Sequence, residues 1–222
     1  MKKIKNIYND GILYDDIHWW KKNDMSFWTN IISDLNPENV LELACGTGRL
    51  SNLFVRENIN YTGIDNVPNF IDTAKNKMKY ARNQANFIFS DMKNFTLHNK
   101  FDLIFIGFNS FLHLLTDAVI GKCFLQVQKH MHKQSHFIID IFVPNPLFLY
   151  KPLNFKSKVL EFIDSKKNLK IYVEEANNYN PDTDINEITW FFSTDNMIDY
   201  DIRQFSLRML FPSKMNQLLI DH

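Results

Sequence analysis

Residues 39–49 read NVLELACGTGR, an apolar run that ends in small residues and glycines. A short run of Val and Leu bounded by such residues is typical of a strand buried on both faces of a parallel sheet. Gly46 and Gly48 follow directly, and glycines let the backbone turn sharply and approach a ligand closely. The stretch therefore predicts a strand, a glycine-rich turn, and a helix over 47–57.

Similar apolar runs recur along the first two thirds of the chain, at 60–65, 86–91, 101–107 and 136–142. Helices are predicted over 68–80, with Pro68 in the first turn, and over 116–132, with Thr116 as the N-cap. Strands that alternate with helices predict a Rossmann-like, doubly wound, mostly parallel α/β sheet.

The pattern changes after Pro144 and Pro146. Four consecutive strand-like segments, separated by the turn-like pieces SKKN and NPDTD, predict an antiparallel β lobe over 146–210. They run over 158–165, 169–179, 187–195 and 202–211. The full division is an N-terminal helical lid over 1–36, a core over 37–145, the lobe, and the start of a last core helix over 211–222.

Composition restricts the function classes. Lys plus Arg equals Asp plus Glu at 25 each, so the net charge is zero, and nucleic-acid partners are disfavoured. Two distant cysteines, Cys45 and Cys123, fit a reducing compartment. The chain shows no secretory leader and no apolar stretch of the roughly 20 residues that cross a bilayer. These features predict a cytoplasmic protein without a membrane partner.

Carboxylates stand at the ends of three of the predicted strands. Glu42 lies in the first run, Asp65 ends the second, and Asp91 ends the third with Met92 beside it. A carboxylate at Asp65 can accept from both ribose hydroxyls, and one at Asp91 can accept from an adenine amino group while Met92 lies against the ring. Each feature alone also fits a tight turn or a helix cap. Their combination at neighbouring strand ends favours a nucleoside site.

Two nucleoside cofactors fit this pattern at first. Gly46, Gly48 and Ser51 nearly match the spacing of dinucleotide-binding loops. A pyrophosphate, however, needs several unoccupied backbone amides, and the bulk of Cys45 and the charge of Glu42 disfavour it. A carboxylate attracts a sulfonium cofactor that carries an amino group. The charges therefore favour S-adenosylmethionine.

The combined motifs resemble those of class I S-adenosylmethionine-dependent methyltransferases. Residues 40–49 resemble their motif I, YTGIDNV resembles the second motif, and FIFSDM and FDLIFIGFNSFLHLL resemble the next two. The similarity covers about residues 8–145 and is greatest to small-molecule methyltransferases with an antiparallel lobe after the fifth strand. Their N-terminal segment is similar to Tyr14-Asp15, Asp24 and Phe27-Trp28 in this chain.

The resemblance implies S-adenosylmethionine as cofactor, a small-molecule N or O acceptor, and no metal. The residues implied in cofactor binding are, from the methionine end to the adenine end and then the lid, Glu42, Ala44, Cys45 and Gly46, Asp65 and Asn66, Asp91 and Met92, Phe108, and Tyr14 and Trp28.

Methyl transfer to an activated cofactor mainly requires orientation of the nucleophile and exclusion of water. His113 is a candidate base and Asn109 a candidate orienting residue, although His113 also fits a packing role in a helical turn. A non-catalytic nucleoside-binding protein and a nicotinamide-dependent oxidoreductase remain alternatives. An oxidoreductase would need a catalytic Tyr-x-x-x-Lys or comparable dyad, and this chain shows none after the fourth predicted strand.

The chain departs from the family pattern at two places. The loop KQSH before the fifth strand lacks the usual Pro-Gly-Gly type turn. The sixth and seventh core strands are missing, because the sequence ends at His222 in the last predicted helix. An open sheet edge is a pairing liability. We therefore expect partial disorder, low stability, or a homodimer through the β lobe or this edge.

Overall fold

The structure, a computed structural model, describes residues 4–153 and 155–222. Its strands are β1 (Lys5–Asn6), β2 (Asn39–Leu43), β3 (Asn60–Asp65), β4 (Ala85–Phe89), β5 (Phe101–Ile106), β6 (Met131–Ile139), β7 (Ser157–Asp164), β8 (Leu169–Asn180), β9 (Ile185–Ser193) and β10 (Asp201–Arg208). Its α-helices are α1 (Gly11–Ile17), α2 (Met25–Leu35), α3 (Ser51–Arg56), α4 (Pro68–Lys77), α5 (Asp117–His130), α6 (Pro146–Leu149) and α7 (Pro212–Asp221).

The chain divides into two compact units. The parallel-sheet unit contains Lys21–Phe111, Thr116–Ile141 and His222. The lobe unit contains the residues up to Trp20, Leu112–Leu115 and Phe142–Asp221. Residues 1–36, taken from the sequence as one segment, are thus shared between the units, and residues 1–3 and 154 of the predicted lid and lobe lie outside the described residues.

The parallel-sheet unit confirms the predicted doubly wound α/β fold. Its five strands run in the order β4-β3-β2-β5-β6, and every neighbouring pair is parallel. The central strand β2 is buried along almost its whole length, as its apolar sequence requires. Strand order reverses beside β2, where the chain passes from β4 at one edge to β5 on the other side.

Most predicted helices in this unit are confirmed. Pro68 occupies the first turn of α4, and the Thr116 hydroxyl accepts the Val119 backbone N–H at 3.3 Å, so Thr116 is the N-cap of α5. The helix predicted over 47–57 begins only at Ser51, because the preceding residues form a turn in which Gly48 has a φ of 75°.

The KQSH segment was predicted as a loop, and this was wrong, because β6 already begins at Met131. Phe101 pairs with Met131 while Leu103 pairs with His136, so the extra residues of β6 form a bulge. The Ser135 hydroxyl closes the bulge by donating to the Phe101 carbonyl at 2.6 Å and accepting the His132 N–H at 2.8 Å.

Within residues 4–153 and 155–222, β6 forms the edge of the parallel sheet and pairs only with β5. Among these residues the parallel sheet has five strands, without the sixth and seventh core strands typical of the family that the sequence resembles. The last predicted helix is confirmed as α7, but it groups with the lobe unit and not with the parallel sheet. A dimer at the sheet edge remains a prediction.

The lobe unit is a five-stranded sheet in the order β1-β10-β9-β8-β7. The predicted meander is confirmed, because β7 to β10 pair antiparallel in sequence order. Helix was predicted throughout 1–36, and this was wrong at Lys5–Asn6, which pairs parallel with β10 and makes the sheet mixed. Pairing there satisfies backbone groups that β10 would otherwise present as an open edge.

No helix in the described part of the chain is both long enough and apolar enough to cross a bilayer.

Candidate functional site

Acidic side chains gather at one edge of the parallel sheet. Glu42 lies near the end of β2, Asp65 is the last residue of β3, and Asp91 follows β4. Because β4, β3 and β2 are adjacent and parallel, these ends lie side by side. The crevice outside the carboxyl ends of the strands, where strand order reverses, is where open α/β sheets bind ligands.

The loop after β2 has an unusual backbone. Ala44, Gly46 and Gly48 have φ values of 56°, 56° and 75°, in the left-handed region that favours glycine. A Cβ on Gly48 would lie 3.1 Å from the Phe87 ring and 3.2 Å from the Ala74 Cβ. The loop is therefore packed closely against β4 and α4 and has little freedom to rearrange.

Internal hydrogen bonds occupy several amides of this loop. The Cys45 N–H donates to the Ile64 carbonyl at 2.9 Å, and the Gly48 N–H donates to the Cys45 carbonyl at 3.0 Å. The Gly46 N–H donates to Asp65 Oδ2 at 2.8 Å. A diphosphate would need such amides for itself, so the loop suits a ligand that does not depend on them.

Glu42 is a buried carboxyl group at the base of the loop. The Tyr61 hydroxyl donates to Glu42 Oε2. Burial raises the pKa of Glu42 to about 8, against the lowering effects of the Tyr61 hydrogen bond and the Arg49 charge, because desolvation disfavours the charged form. Near neutral pH, Glu42 can therefore exist as an acid or as a carboxylate, and a cationic ligand would favour the carboxylate.

Asp65 braces the turn between β3 and α4. Besides the Gly46 N–H, its carboxylate accepts the Val67 N–H at 2.9 Å. Burial raises the pKa of Asp65, while these backbone hydrogen bonds oppose the rise. The Asn66 backbone also hydrogen-bonds this carboxylate. A carboxylate can accept about four hydrogen bonds, so acceptance of ribose hydroxyls by Asp65 stays a prediction beside its role in fixing the turn.

Asp91 lies at the third strand end in a more open setting. Lys93 pairs with it through its side chain, and the Lys93 backbone N–H donates to Asp91 Oδ1 at 3.1 Å. Burial would raise the pKa of Asp91, but the hydrogen bonds from Lys93 and from the exposed Asn66 lower it below its usual value. Asp91 is thus held as a carboxylate next to Asn66, while Met92 is partly buried. Their contacts with adenine remain predictions.

Phe108 and Asn109 follow β5 with φ values of 51° and 64°, which are strained for side chains with a Cβ. Asp140 at the end of β6 holds them there. Its Oδ2 accepts the Phe108 N–H at 3.0 Å, and its backbone carbonyl accepts the Asn109 N–H at 2.9 Å. The turn is therefore fixed from the neighbouring strand.

A charged cluster lies against the Phe108 ring. Lys21 Nζ and Arg49 Cζ lie 5.2 Å and 5.7 Å from the ring centroid. Asp24 holds Arg49 in a bidentate pair with distances of 2.9 Å and 2.7 Å, and Lys21 lies 3.5 Å from the same carboxylate. The Asp24 segment is thereby fastened to the turn that follows β2.

Trp28 and Cys45 lie differently from what their predicted roles require. Trp28 is 0% exposed and packs 4.4 Å from the Phe105 ring, so it is a core residue and not a surface lid. The Cys45 side chain points into the sheet, since a Cβ on Gly63 would lie 2.8 Å from its Sγ. The indole N–H of Trp28 is buried without a hydrogen-bond partner. Contacts of either residue with the cofactor remain predictions.

Two further predicted residues, Tyr14 and His113, belong to the lobe unit. The Tyr14 ring lies 4.2 Å from His18 and 6.2 Å from Tyr8. Tyr8 Oη lies 2.9 Å from His113 Nε2. Burial lowers the pKa of His113 to about 4, although a hydrogen bond with the Ser206 backbone opposes the change.

Several of the residues that build these sites were not found from the sequence. Tyr61, Asp140 and Tyr8 each act on a predicted residue from a distant position in the chain. Tyr61 could have been found, because in a strand it faces the same side as Gly63 and Asp65. Tyr8 and Asp140 carried no comparable signal.

His130 is a buried residue in the last turn of α5, where its Nδ1 lies 2.7 Å from the Gln126 carbonyl oxygen. Its Nε2 accepts the Leu97 N–H at 3.0 Å, and its ring stacks on Phe95 at 4.6 Å. These contacts give His130 a structural role between α5 and the segment that follows β4.

Comparison with known proteins agrees with this arrangement. A family model described as a methyltransferase domain matches residues 40–134. The demethylmenaquinone methyltransferase of Thermotoga maritima is 30% identical over 92 residues, which cover 40% of this chain and 37% of that protein. The match thus spans little more than a third of this curated relative.

Solved structures resemble a much larger part of the chain. The CcbJ methyltransferase of Streptomyces caelestis has a TM-score of 0.78 at 17% identity, covering 97% of this chain and 86% of that one. CalS10, an amino pentose methyltransferase of Micromonospora echinaspora, has a TM-score of 0.69 at 14% identity, covering 99% and 90%. Likeness at such identities shows the fold. Residues 40–134 thus match a methyltransferase domain, and the chain has the fold of these solved methyltransferases.

Proposed function

We propose that this chain transfers a methyl group from S-adenosylmethionine to a nitrogen or oxygen atom of a small-molecule acceptor. The observation that carries the proposal is that backbone N–H groups of the loop after β2 are already hydrogen-bonded within the protein. Asp65 takes the Gly46 N–H, and the carboxyl groups of Glu42 and Asp91 lie at the neighbouring strand ends. Such a site repels a diphosphate and attracts a cationic nucleoside.

The residues present fit an adenosyl sulfonium. Glu42 would face the methionine end, where a positive amino group would favour its ionised form. Asp65 and Asn66 would accept from the ribose, and Asp91 and Met92 would receive the adenine. When bound, the cofactor supplies a methyl group on a sulfonium that is already activated. The chain supplies binding, orientation and exclusion of water.

His113 and Tyr8 are the proposed proton-handling pair of the lobe unit. With a pKa of about 4, His113 is neutral near pH 7, and its Nε2 lies 2.9 Å from the Tyr8 hydroxyl. The neutral imidazole can therefore accept a hydrogen bond from the Tyr8 hydroxyl, and the phenol oxygen can then accept one from an amine or hydroxyl of the methyl acceptor. Asn109 remains the proposed orienting residue for the acceptor.

The acceptor is proposed to be a small molecule and not a nucleic acid. The chain has zero net charge, which does not favour phosphate-backbone binding. Among proteins of the same fold is an amino pentose methyltransferase, which makes amino sugars a first class to test. Cytoplasmic location and a homodimer through the lobe or the β6 edge stay proposals.

Calorimetric titration with S-adenosylmethionine, S-adenosylhomocysteine and NAD tests the cofactor. We expect binding of the first two and none of NAD. Asp65→Ala should lower the affinity for S-adenosylhomocysteine by more than about tenfold, because ribose hydroxyls and the Gly46 N–H both lose an acceptor. Wild-type protein that binds NAD alone would overturn the proposal, and an unchanged Asp65→Ala affinity would remove Asp65 from the site.

Mass spectrometry of an amine, amino sugar and phenol panel tests turnover. A product heavier by one methyl group supports the enzyme. Cofactor binding without turnover on any member would favour the alternative of a non-catalytic nucleoside-binding protein. Tyr8→Phe should lower kcat more than it changes the affinity for S-adenosylhomocysteine.

A further inference from the structure

The buried face of the lobe sheet carries a chain of polar side chains. The Trp190 indole N–H donates to Glu175 Oε2 at 2.7 Å, and the Asn177 amide N–H donates to Glu175 Oε1 at 3.1 Å. The Asn186 amide N–H donates to Asn177 Oδ1 at 2.7 Å. Glu175, Asn177 and Asn186 are 8%, 6% and 1% exposed. We name these four residues the lobe network.

The lobe network ends in unused acceptors. Asn186 Oδ1 is buried and has no hydrogen-bond partner. Each Glu175 oxygen takes one donor, which leaves lone pairs on both. Among the described residues, none of the ion pairs involves Glu175. A buried acceptor without a donor destabilises the folded protein, because it loses its hydrogen bonds to water and gains none in return.

Glu175 determines which atoms donate and which accept hydrogen bonds along the lobe network. A carboxylate only accepts hydrogen bonds, so Asn177 must turn its nitrogen toward Glu175 and its oxygen away. That oxygen requires the nitrogen of Asn186, whose own oxygen is then left at the end. The carboxylate therefore determines that the network presents acceptors, not donors.

Packing of the sheet does not require these polar groups. At the other end of the same face, Phe162, Ile171 and Phe192 are buried and apolar. The polar end adjoins the rings that surround His113, because Trp190 lies 5.4 Å from Phe205 and Phe205 lies 6.5 Å from His113. A buried polar network that is only partly satisfied marks a place where a ligand can complete it.

We infer that Glu175 and Asn186 bind a hydrogen-bond donor of the methyl acceptor, a hydroxyl or an ammonium group away from the reacting atom. This inference rests on the proposed function, since it gives the acceptor a required chemical feature. A donor group would supply the hydrogen that Asn186 Oδ1 lacks and could also reach a remaining lone pair of Glu175. The reacting nitrogen itself is excluded, because a neighbouring carboxylate would keep it protonated and without a lone pair.

Two small probes distinguish the donor classes. One is 2-amino-2-(hydroxymethyl)propane-1,3-diol, which carries an ammonium group and hydroxyls. The other is 1,1,1-tris(hydroxymethyl)ethane, which has a methyl group in place of the ammonium. Saturation-transfer NMR on the full chain with S-adenosylhomocysteine gives a dissociation constant for each. Binding of both supports a hydroxyl site, and binding of the first alone supports an ammonium site.

Glu175→Gln should weaken probe binding by about fivefold or more. The substituted amide can reverse the network, because its nitrogen can donate to Asn177 and the terminal group then becomes a donor. Glu174→Gln removes the same charge from the preceding residue, which faces the other side of the strand, and should leave binding unchanged. Asn186→Leu removes the terminal oxygen at similar volume and should also weaken binding.

Near-ultraviolet circular dichroism and urea unfolding establish that each variant is folded, and Asn186→Leu replaces Glu175→Gln if the latter is not. Absence of saturable binding of both probes to the wild type overturns the inference. Equal affinities of the wild type and a folded Glu175→Gln or Asn186→Leu variant overturn it as well. Intact binding of S-adenosylhomocysteine in those cases separates this failure from failure of the proposed function.

Discussion

The two units of this protein use buried polar side chains in opposite ways. In the parallel-sheet unit such groups stand at strand ends and bind backbone, as Asp65 does with the Gly46 and Val67 N–H groups. In the lobe unit they stand in the middle of a strand face and bind one another, as Glu175 and Asn177 do. The first arrangement fixes the shape of a loop, whereas the second leaves Asn186 Oδ1 buried without a donor.

The pKa values of their buried titratable groups also shift in opposite directions. Burial raises the pKa of Glu42 in the parallel-sheet unit to about 8 and lowers that of His113 in the lobe unit to about 4. Both shifts favour the neutral form. The stability of the two units should therefore respond to pH in opposite directions.

Among the substitutions considered, Glu42→Gln should change the pH dependence of the unfolding free energy most. The folded pKa of Glu42 lies above its ordinary 4.5, so its contribution is complete below pH 4.5 and is lost as the pH rises to about 8. Across that window, wild-type unfolding free energy should fall from this group by up to about 1.4 kcal/mol per pH unit. Urea unfolding should show that Glu42→Gln lacks this slope. Glu57→Gln, an exposed acid in the same unit, is the control, and parallel pH profiles for wild type and Glu42→Gln would contradict the prediction.

His113→Gln tests the opposite slope. The folded pKa of His113 lies below its ordinary 6.5, so its contribution is complete above pH 6.5 and is lost as the pH falls to about 4. Wild-type stability should decrease on acidification through this window by up to about 1.4 kcal/mol per pH unit, and the variant should not show this part of the decrease. His98→Gln replaces an exposed histidine and should retain the wild-type profile. A wild-type slope that survives in His113→Gln would assign it to another group.

The parallel-sheet unit was largely predictable because its signals are local. Each strand is one apolar run, and Gly46 and Gly48 directly follow the run that forms β2. The shared location of Asp65 and Asp91 follows from one rule, that the carboxyl ends of parallel strands lie on the same side of the sheet. The failures here, the bulge in β6 and the inward side chain of Cys45, depend on pairing with Phe101 and on packing against Gly63, which no single run encodes.

The lobe unit was predictable as a meander but not as a site. Its turns are marked by Asn168 and Asp184, which adopt the left-handed conformation that glycines adopt in the other unit. The lobe network depends on register, since Glu175 pairs with Trp190 across two strands. A shift of one residue would turn these side chains to the other face. Strand β1 was missed because two residues are too few to show a period.

Gly63→Ala probes how closely the loop after β2 is packed. The new Cβ would lie 2.8 Å from Cys45 Sγ and 2.9 Å from Cys45 Cβ, so strain should lower the unfolding free energy by about 1–3 kcal/mol. At Gly107 the nearest atom to a new Cβ lies 3.6 Å away, and Gly107→Ala should be neutral or stabilising by up to about 1 kcal/mol. Chemical denaturation measures both. Equal effects of the two substitutions would contradict the close contact between Cys45 and Gly63.

Removal of a helix N-cap should lower the unfolding free energy least, and each unit offers one such cap for comparison. Thr116 caps α5 through one bond of 3.3 Å, whereas Asp10 caps α1 by accepting the Ile12 and Leu13 N–H groups at 3.1 Å each. Thr116→Ala should cost about 1 kcal/mol, and Thr116→Ser should restore most of it. Asp10→Ala should cost at least as much, because it also removes the pair with Lys166.

Asp10→Asn separates the two contributions at Asp10. Asparagine caps as well as aspartate, so the loss should be no more than the few tenths to about 1 kcal/mol typical of an exposed ion pair. Asp10 has a lowered pKa, since the Lys166 and backbone bonds outweigh its burial, so its charge contributes fully above pH 3.8 and is lost in stronger acid. The difference between Asp10→Asn and wild type should therefore shrink as the pH falls below 3.8. A loss that is equal for Asp10→Asn and Asp10→Ala would mean that the ion pair with Lys166, and not the helix cap, is the stabilising contribution of Asp10.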